Sequence, residues 1–180
     1  ATKSTIISLT NAASGISYRG EVAFQDRPLD DLTVSGNVGI LRTKFTDFTA
    51  PASATGATDL TGNEFARAPH QTANISVDYH FRTRIGDGSV GTHWNYTGHY
   101  FYLVSNEKAS ALQQSPVWLG DVHASFRPGN SRWELSGIVT NITGNRYLVQ
   151  VLPYSATSQT FPYQYSAPRM FLLSARVDFF

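Results

Sequence analysis

An all-β fold, arranged as an antiparallel up-and-down transmembrane β-barrel, is predicted by three features of this sequence. Apolar and polar residues alternate with period two in stretch after stretch, these stretches are long, and the segments joining them are by turns short and long. Period two marks a strand with one apolar face, whereas a helix would repeat every 3.6 residues. Composition agrees. Aromatic residues make up 13% of the chain and charged residues only 15%, more aromatics than a soluble core needs, yet no apolar run approaches the roughly 18 residues of a membrane helix.

Eight strands are expected, near 4–11, 16–28, 31–46, 71–83, 88–104, 117–127, 132–148 and 169–180. The first, Thr5-Ile6-Ile7-Ser8-Leu9, alternates poorly; the others alternate well. In 73–81, Ala73, Ile75, Val77, Tyr79 and Phe81 interleave with Asn74, Ser76, Asp78 and His80. In 118–126, Trp118, Val122, Ala124 and Phe126 oppose Asp121, His123 and Ser125, and the final stretch sets Phe171, Leu173, Ala175, Val177 and Phe179 against Leu172, Ser174, Arg176 and Asp178. Several strands exceed the five or six residues usual in soluble sheets and match the roughly 9–11 that cross a bilayer at a tilt. Tyr79, Trp94, Tyr96, Trp118, Val122, Phe126, Leu173 and Val177 are expected to face lipid. Ser76, Asp78, His93, Asn95, His123, Arg176 and Asp178 are expected to face the interior.

Short turns are read at 27–30, 85–88 and 127–130, and long loops at about 47–70, 105–116 and 149–168. Outer-membrane barrels show this asymmetry, with periplasmic turns and extracellular loops. Two aromatic girdles follow. Trp118 and Phe126 lie eight residues apart on one face, roughly 19 Å of membrane height at a tilt near 45°. Tyr79, Phe81, Phe126, Trp133 and Phe179 fall to the periplasmic girdle, and Tyr96, Tyr100, Tyr102, Trp118 and Tyr147 to the extracellular one.

Some chemistry is excluded at this stage. The net charge is +1, with Lys and Arg scattered, so no basic field points to nucleic acid. There is no Cys, hence no disulfide framework and no thiolate metal site. The N-terminus lacks the basic and apolar regions of a signal peptide. Ser76, Asp78 and His80 suggest a triad, but alternate residues of one strand stand about 6.6–6.8 Å apart, which puts Ser76 roughly 13 Å from His80. A hairpin centred between Gly86 and Asp87 would set His80 opposite His93, two of the three or four ligands zinc wants, with no third ligand in a determined register. No catalytic residue, metal or cofactor is assigned. Loop 149–168 differs: Tyr154, Phe161, Tyr163 and Tyr165 sit among Pro, Ser and Thr, with no charge between Arg146 and Arg169. Exposed Tyr offers an apolar face and a polar tip, so these four are the ligand-binding candidates.

Three segments resemble the C-terminal region of TonB-dependent outer-membrane receptors. Ala68-Pro69 before the strand at 71, the Asn141-Ile142-Thr143-Gly144-Asn145-Arg146-Tyr147 run after Trp133-Glu134-Leu135-Ser136, and Ala167-Pro168-Arg169 before the last strand look like that family's recurring motifs. Arg19-Gly20-Glu21-Val22 and Leu32-Thr33-Val34-Ser35-Gly36 add weaker matches. The resemblance implies that residues 1–180 are about eight C-terminal strands of a 22-stranded barrel in the bacterial outer membrane, with the plug domain and earlier strands absent. It implies energy-coupled uptake of a small, siderophore-like ligand rather than an enzyme's chemistry. The implied partners are outer-membrane lipid, a TonB-type inner-membrane energy-coupling protein reached through the missing N-terminal region, and the outer-membrane assembly machinery, which would read Phe179 or Phe180. Phe180 departs from the family pattern, being out of phase with the apolar face that ends at Phe179. Two rivals stand beside this reading. One is a complete eight-stranded barrel acting as an adhesin or structural protein. The other is an outer-membrane enzyme, which needs a nucleophile and a base on adjacent strands.

Overall fold

Three short turns and three long connections organise the chain in the computed structural model, which describes residues 14–53, 56–108, 112–129, 132–151 and 163–179. Seven long strands form one sheet: β1 (Ser14–Leu29), β2 (Leu32–Asp47), β5 (Gln71–Thr83), β6 (Gly86–Thr97), β9 (Val117–Pro128), β10 (Trp133–Thr140) and β13 (Met170–Val177). They pair in chain order, each antiparallel to the next. β1 and β13 are the two edges, and every residue of both is exposed. The sheet is open. Of the eight expected strands, the one at 4–11 lies outside the described residues.

Each long connection carries a small two-stranded ladder of its own. β3 (Thr49–Ser53) pairs with β4 (Gly56–Asp59), β7 (Tyr100–Phe101) with β8 (Gln113–Gln114), and β11 (Leu148–Val151) with β12 (Tyr163–Tyr165). All three ladders stand at the end of the sheet opposite the short turns.

The register converts the sequence alternation into two chemically distinct faces. One row runs Leu32, Tyr79, Val90, Ala124, Gly137, Leu173; the next runs Phe81, Gly88, Phe126, Leu135, Ala175. Trp94 and Tyr96 share that face with Ile75, Ala73 and Trp118. Where a large ring sits beside glycine in the next strand, it folds flat over it. The rings of Phe81 and Trp94 lie so close to Gly88 and Gly120 that a Cβ would stand 2.5 and 2.7 Å from them, which smooths the apolar surface. Opposite-face rows are polar: Asn37, Asn74, Asn95; Ser35, Ser76, His93, Asp121; Ser89, Ser125, Ser136, Ser174. All eight residues expected to face lipid thus share one face, and the seven expected inside share the other. Towards the β13 edge the polar face turns apolar at Ile138 and Leu172.

No second layer covers the apolar face among the described residues: Val22, Phe171 and Leu173 are 72%, 76% and 81% exposed. A soluble sandwich would bury such a face against another sheet. A lipid-facing wall needs no such cover. What core there is sits in the long-loop cap, where Tyr102, Leu112 and Val151 are buried against Tyr100, Leu103 and Leu148.

Four expectations change. The strand expected at 88–104 ends at Thr97, and chain 98–101 continues it only after a break at Gly98, whose N–H returns to the Gln71 carbonyl at 2.8 Å. The strand expected at 132–148 ends at Thr140, because Asn141 adopts φ 51° and the left-handed region cannot continue a ladder. His80 faces Ser89, not His93, because the hairpin closes on Arg84-Ile85 between Thr83 and Gly86. The slip is by an even number, so faces are kept while partners change. Finally, Tyr102 does not belong to a girdle: it is 3% exposed in the cap core. Tyr100 packs edge-on against it at 5.2 Å, and Tyr147 lies beyond the end of β10. Tyr96 and Trp118, 5.0 Å apart, remain on the apolar face near the long-loop end.

Candidate functional site at the long-loop rim

The rim is built by chain that extends the wall beyond the regular strands. Segment 60–70 hydrogen-bonds to the upper part of β2 on one side, through Phe45 N to Asn63 O at 2.8 Å and Leu41 N to His70 O at 3.0 Å. On its other side Arg67 N reaches Phe101 O at 2.7 Å, and His70 N reaches His99 O at 3.1 Å. Phe45 packs on Phe48 and Phe65 with centroids 4.7 and 4.6 Å away. The loop is therefore a folded part of the sheet.

In the second ladder, the Tyr102 hydroxyl lies 2.6 Å from Gln114 Oε1 and also touches the Leu148 carbonyl, tying the second long connection to the third. Burial pushes the Tyr102 phenol above its usual range. Since the folded state holds this proton more tightly, its stabilising share is complete below about pH 10 and is lost as pH rises further. Tyr102→Phe removes the hydroxyl and strands a buried acceptor, at a cost of about 1–2 kcal/mol. Limited proteolysis of the full-length protein is expected to cut this cap faster in the variant, and faster in the wild type above about pH 10.

A third knot joins the Asn141 run to the start of β13. Asn141 is 8% exposed. Its backbone N–H donates to Asp121 Oδ1 at 2.8 Å, its Nδ2 to the Asn145 and Ala167 carbonyls at 2.8 and 3.3 Å, and its Oδ1 accepts from Thr143 Oγ1 at 2.9 Å. Arg169 donates to the Asn141 and Ile142 carbonyls at 3.4 and 2.5 Å. Two segments 28 residues apart, singled out separately as motifs, are thus the two halves of one hydrogen-bonded turn.

Below the rim, the polar face carries paired side chains. Ser76 Oγ meets His93 Nδ1 at 2.6 Å across adjacent strands, and His123 Nε2 meets Asp78 Oδ1 at 3.1 Å over Gly91. Ser76 and His93 meet the adjacent-strand condition for a nucleophile and a base. A working arrangement also needs a third group orienting the base; Asp78 is held by His123 and Asp121 by Asn141. An open groove of about 560 Å³ along β1, β2, β5 and β6 is lined by Arg19, Glu21, Asn37, Asn74 and Asn95, with Arg19 paired to Glu21. At the short-turn end Arg127 bridges Glu134 at 2.9 Å and Asp178 at 3.6 Å.

Of the four candidate ligand-binding residues, Tyr163 and Tyr165 lie on β12, 60% and 53% exposed, their rings edge to face with centroids 5.5 Å apart. Tyr154 and Phe161 lie outside the described residues. Sequence reasoning missed a second rim cluster, Glu64, His70, His99 and Gln113. His70 Nε2 is 2.6 Å from Glu64 Oε2, His99 Nε2 is 2.9 Å from Gln113 Oε1, and the two imidazole centroids are 5.5 Å apart. The sequence signals that could have pointed to this cluster are Ala68-Pro69 ahead of β5 and the glycine at 98 inside the expected strand.

Three solved receptors share this fold. The ferric yersiniabactin uptake receptor FyuA from Yersinia pestis superposes with a TM-score of 0.80 at 20% identity, over 96% of this chain and 25% of its own. The siderophore receptor PiuA from Acinetobacter baumannii gives 0.72 at 18% identity, over 92% of this chain and 22% of its own. BauA, the ferric preacinetobactin receptor of the same organism, gives 0.68 at 15% identity, over 89% and 22%. The chain thus spans about a quarter of these receptors' length. No curated protein matches it in sequence. The family model for "TonB dependent receptor-like, beta-barrel" matches residues 7–142, and the chain belongs to this family of bacterial outer-membrane β-barrels.

Proposed function

We propose that these residues are the C-terminal arc of a receptor barrel that imports a scarce ligand, a ferric siderophore, across the outer membrane. The observation that carries the reading is a single sheet with one apolar and one polar face, topped by folded loops that hold exposed aromatics. In this reading the apolar face meets lipid, the polar face lines the passage, and the rim captures ligand before any movement through the barrel. Tyr163 and Tyr165, with Tyr154 and Phe161, supply apolar contact at the mouth. Three structural neighbours, each named for a siderophore or its ferric complex, support the ligand class. Energy comes from a TonB-type inner-membrane protein acting through parts of the receptor beyond these residues. Phe179, 76% exposed in phase with Val177, and Phe180 serve recognition by the assembly machinery.

The test is growth under iron starvation. A strain lacking the receptor gene, with and without the full-length receptor restored, is fed a panel of ferric chelates; rescue by at least one chelate only in the restored strain is expected. Rescue by none would contradict the reading. With that chelate, replacing Tyr154, Tyr163 and Tyr165 together by Ala is expected to weaken binding about tenfold or more, at unchanged receptor abundance, since buried Tyr contacts dominate many interfaces. Unchanged affinity would return the three tyrosines to loop packing.

A further inference from the structure

We infer that His70 and His99 form a two-imidazole coordination site for a first-row transition-metal ion at the rim. An ionised carboxylate only accepts hydrogen bonds, so His70 Nε2, 2.6 Å from Glu64 Oε2, is the donor. Gln113 Nε2 donates to the Lys108 carbonyl at 2.9 Å, which turns Gln113 Oε1 towards His99; that oxygen accepts from His99 Nε2. In each neutral ring the proton is thereby fixed on Nε2, and the lone pair is left on Nδ1. Among the described residues neither Nδ1 has a hydrogen-bond partner. Metal-binding histidines have this second-nitrogen arrangement, which orients the ring and raises its basicity.

Spacing agrees. With a metal–nitrogen bond of about 2.0–2.1 Å, a tetrahedral ion bound by two imidazoles sets their centroids roughly 5 Å apart; here they are 5.5 Å apart, with planes at 58°. The backbone bond from His70 N to His99 O holds the two residues side by side, and Phe101 braces His99 edge-on at 4.9 Å. Among the described residues no group of three His, Asp or Glu could form a closed protein cage. The site supplies two ligands and leaves the others to water or to donor atoms arriving with the metal. Imidazole suits zinc, copper and nickel.

Metal alone is the probe, so the result does not depend on the uptake reading. Full-length receptor purified in detergent is titrated with Cu²⁺ or Zn²⁺. One saturable site is expected, with Cu²⁺ showing electron-spin hyperfine coupling to two imidazole nitrogens. His70→Ala and His99→Gln should each abolish this site, Glu64→Gln should weaken it by about 10–100-fold, and His123→Ala should leave it intact. Heat-modifiable gel migration verifies that each variant is folded; the conservative Glu64→Gln keeps the test informative if a histidine variant is not. Absence of saturable binding in the wild type, a spectrum with fewer than two nitrogens, or unchanged binding in the His70→Ala, His99→Gln double variant would each overturn the inference.

Discussion

Gly86→Val is expected to lower the stability of the full-length barrel by on the order of 3 kcal/mol, the largest effect of any single change at the short-turn end. Gly86 stands where the β5–β6 turn meets the end of β9, with φ 150°, a region that side chains rarely adopt. Holding a non-glycine residue there costs about 1–3 kcal/mol by itself. A Cβ would also overlap the Arg127 carbonyl oxygen and stand 2.7 Å from Pro128 Cα. Those are backbone atoms, so no rotamer change relieves the clash, and the β6–β9 pairing must open. The turn has its own fastening: Thr83 Oγ1 donates to Gly86 O at 2.8 Å, and Gly129 N reaches Ile85 O at 2.8 Å from the neighbouring turn. Gly129→Ala is the control, because its Cβ would meet nothing nearer than 3.8 Å. The temperature at which the folded band is lost on a detergent gel should fall clearly for Gly86→Val and stay near wild type for Gly129→Ala. Equal temperatures for the two would contradict the turn geometry.

The second large effect is expected at Asn141. Asn141→Ala removes a side chain that makes three hydrogen bonds and places a Cβ residue at φ 51° without the compensation Asn provides. Net hydrogen bonds contribute about 0.5–1.5 kcal/mol each, and the left-handed conformation costs roughly 1–2 kcal/mol for an ordinary residue. The loss sums to about 2.5–6.5 kcal/mol. Asn141→Gly separates the parts: it accepts the backbone angle and should recover about a third. Arg169→Ala frees two carbonyls of the same turn, so the double variant with Asn141→Ala should cost less than the sum of the singles by about 1 kcal/mol. Additive losses in thermal melts of the receptor would show that the two motifs act separately.

Strand positions and faces were legible in the sequence because they depend on parity, and parity survives errors in strand ends. The set of Ser76, Asp78, His93 and Asn95 could be placed inside from alternation alone. Partner identity was not legible, since it depends on which two residues close a turn. Thr83 and Gly86 set the pairing of His80 with Ser89 through a hydroxyl and a backbone angle, neither of which alternation encodes. The Asn141 run and Pro168-Arg169 were recognised as motifs without their reason. Their shared turn appears only once Arg169 is seen on the Asn141 and Ile142 carbonyls. Loops escaped most. Tyr102 reads as one more outward aromatic because the alternation of β6 runs on past Gly98, yet the ladder of β7 and β8 folds it into the cap core. The pair of His70 and His99 forms because irregular chain at 60–70 keeps bonding to both neighbours, which no periodic pattern announces.

The division of this sheet into a lipid face and an interior face is read residue by residue by a cysteine scan along β5. The 180 residues contain no Cys, so single cysteines at 73 to 80 can be read one at a time in the full-length receptor in membranes, with any cysteine elsewhere replaced. A membrane-impermeant maleimide, supplied to both sides of the membrane, should label positions 74, 76, 78 and 80 and spare 73, 75, 77 and 79, while a bilayer-soluble reagent should reverse the pattern. Uniform labelling along the strand, or the opposite alternation, would contradict the account.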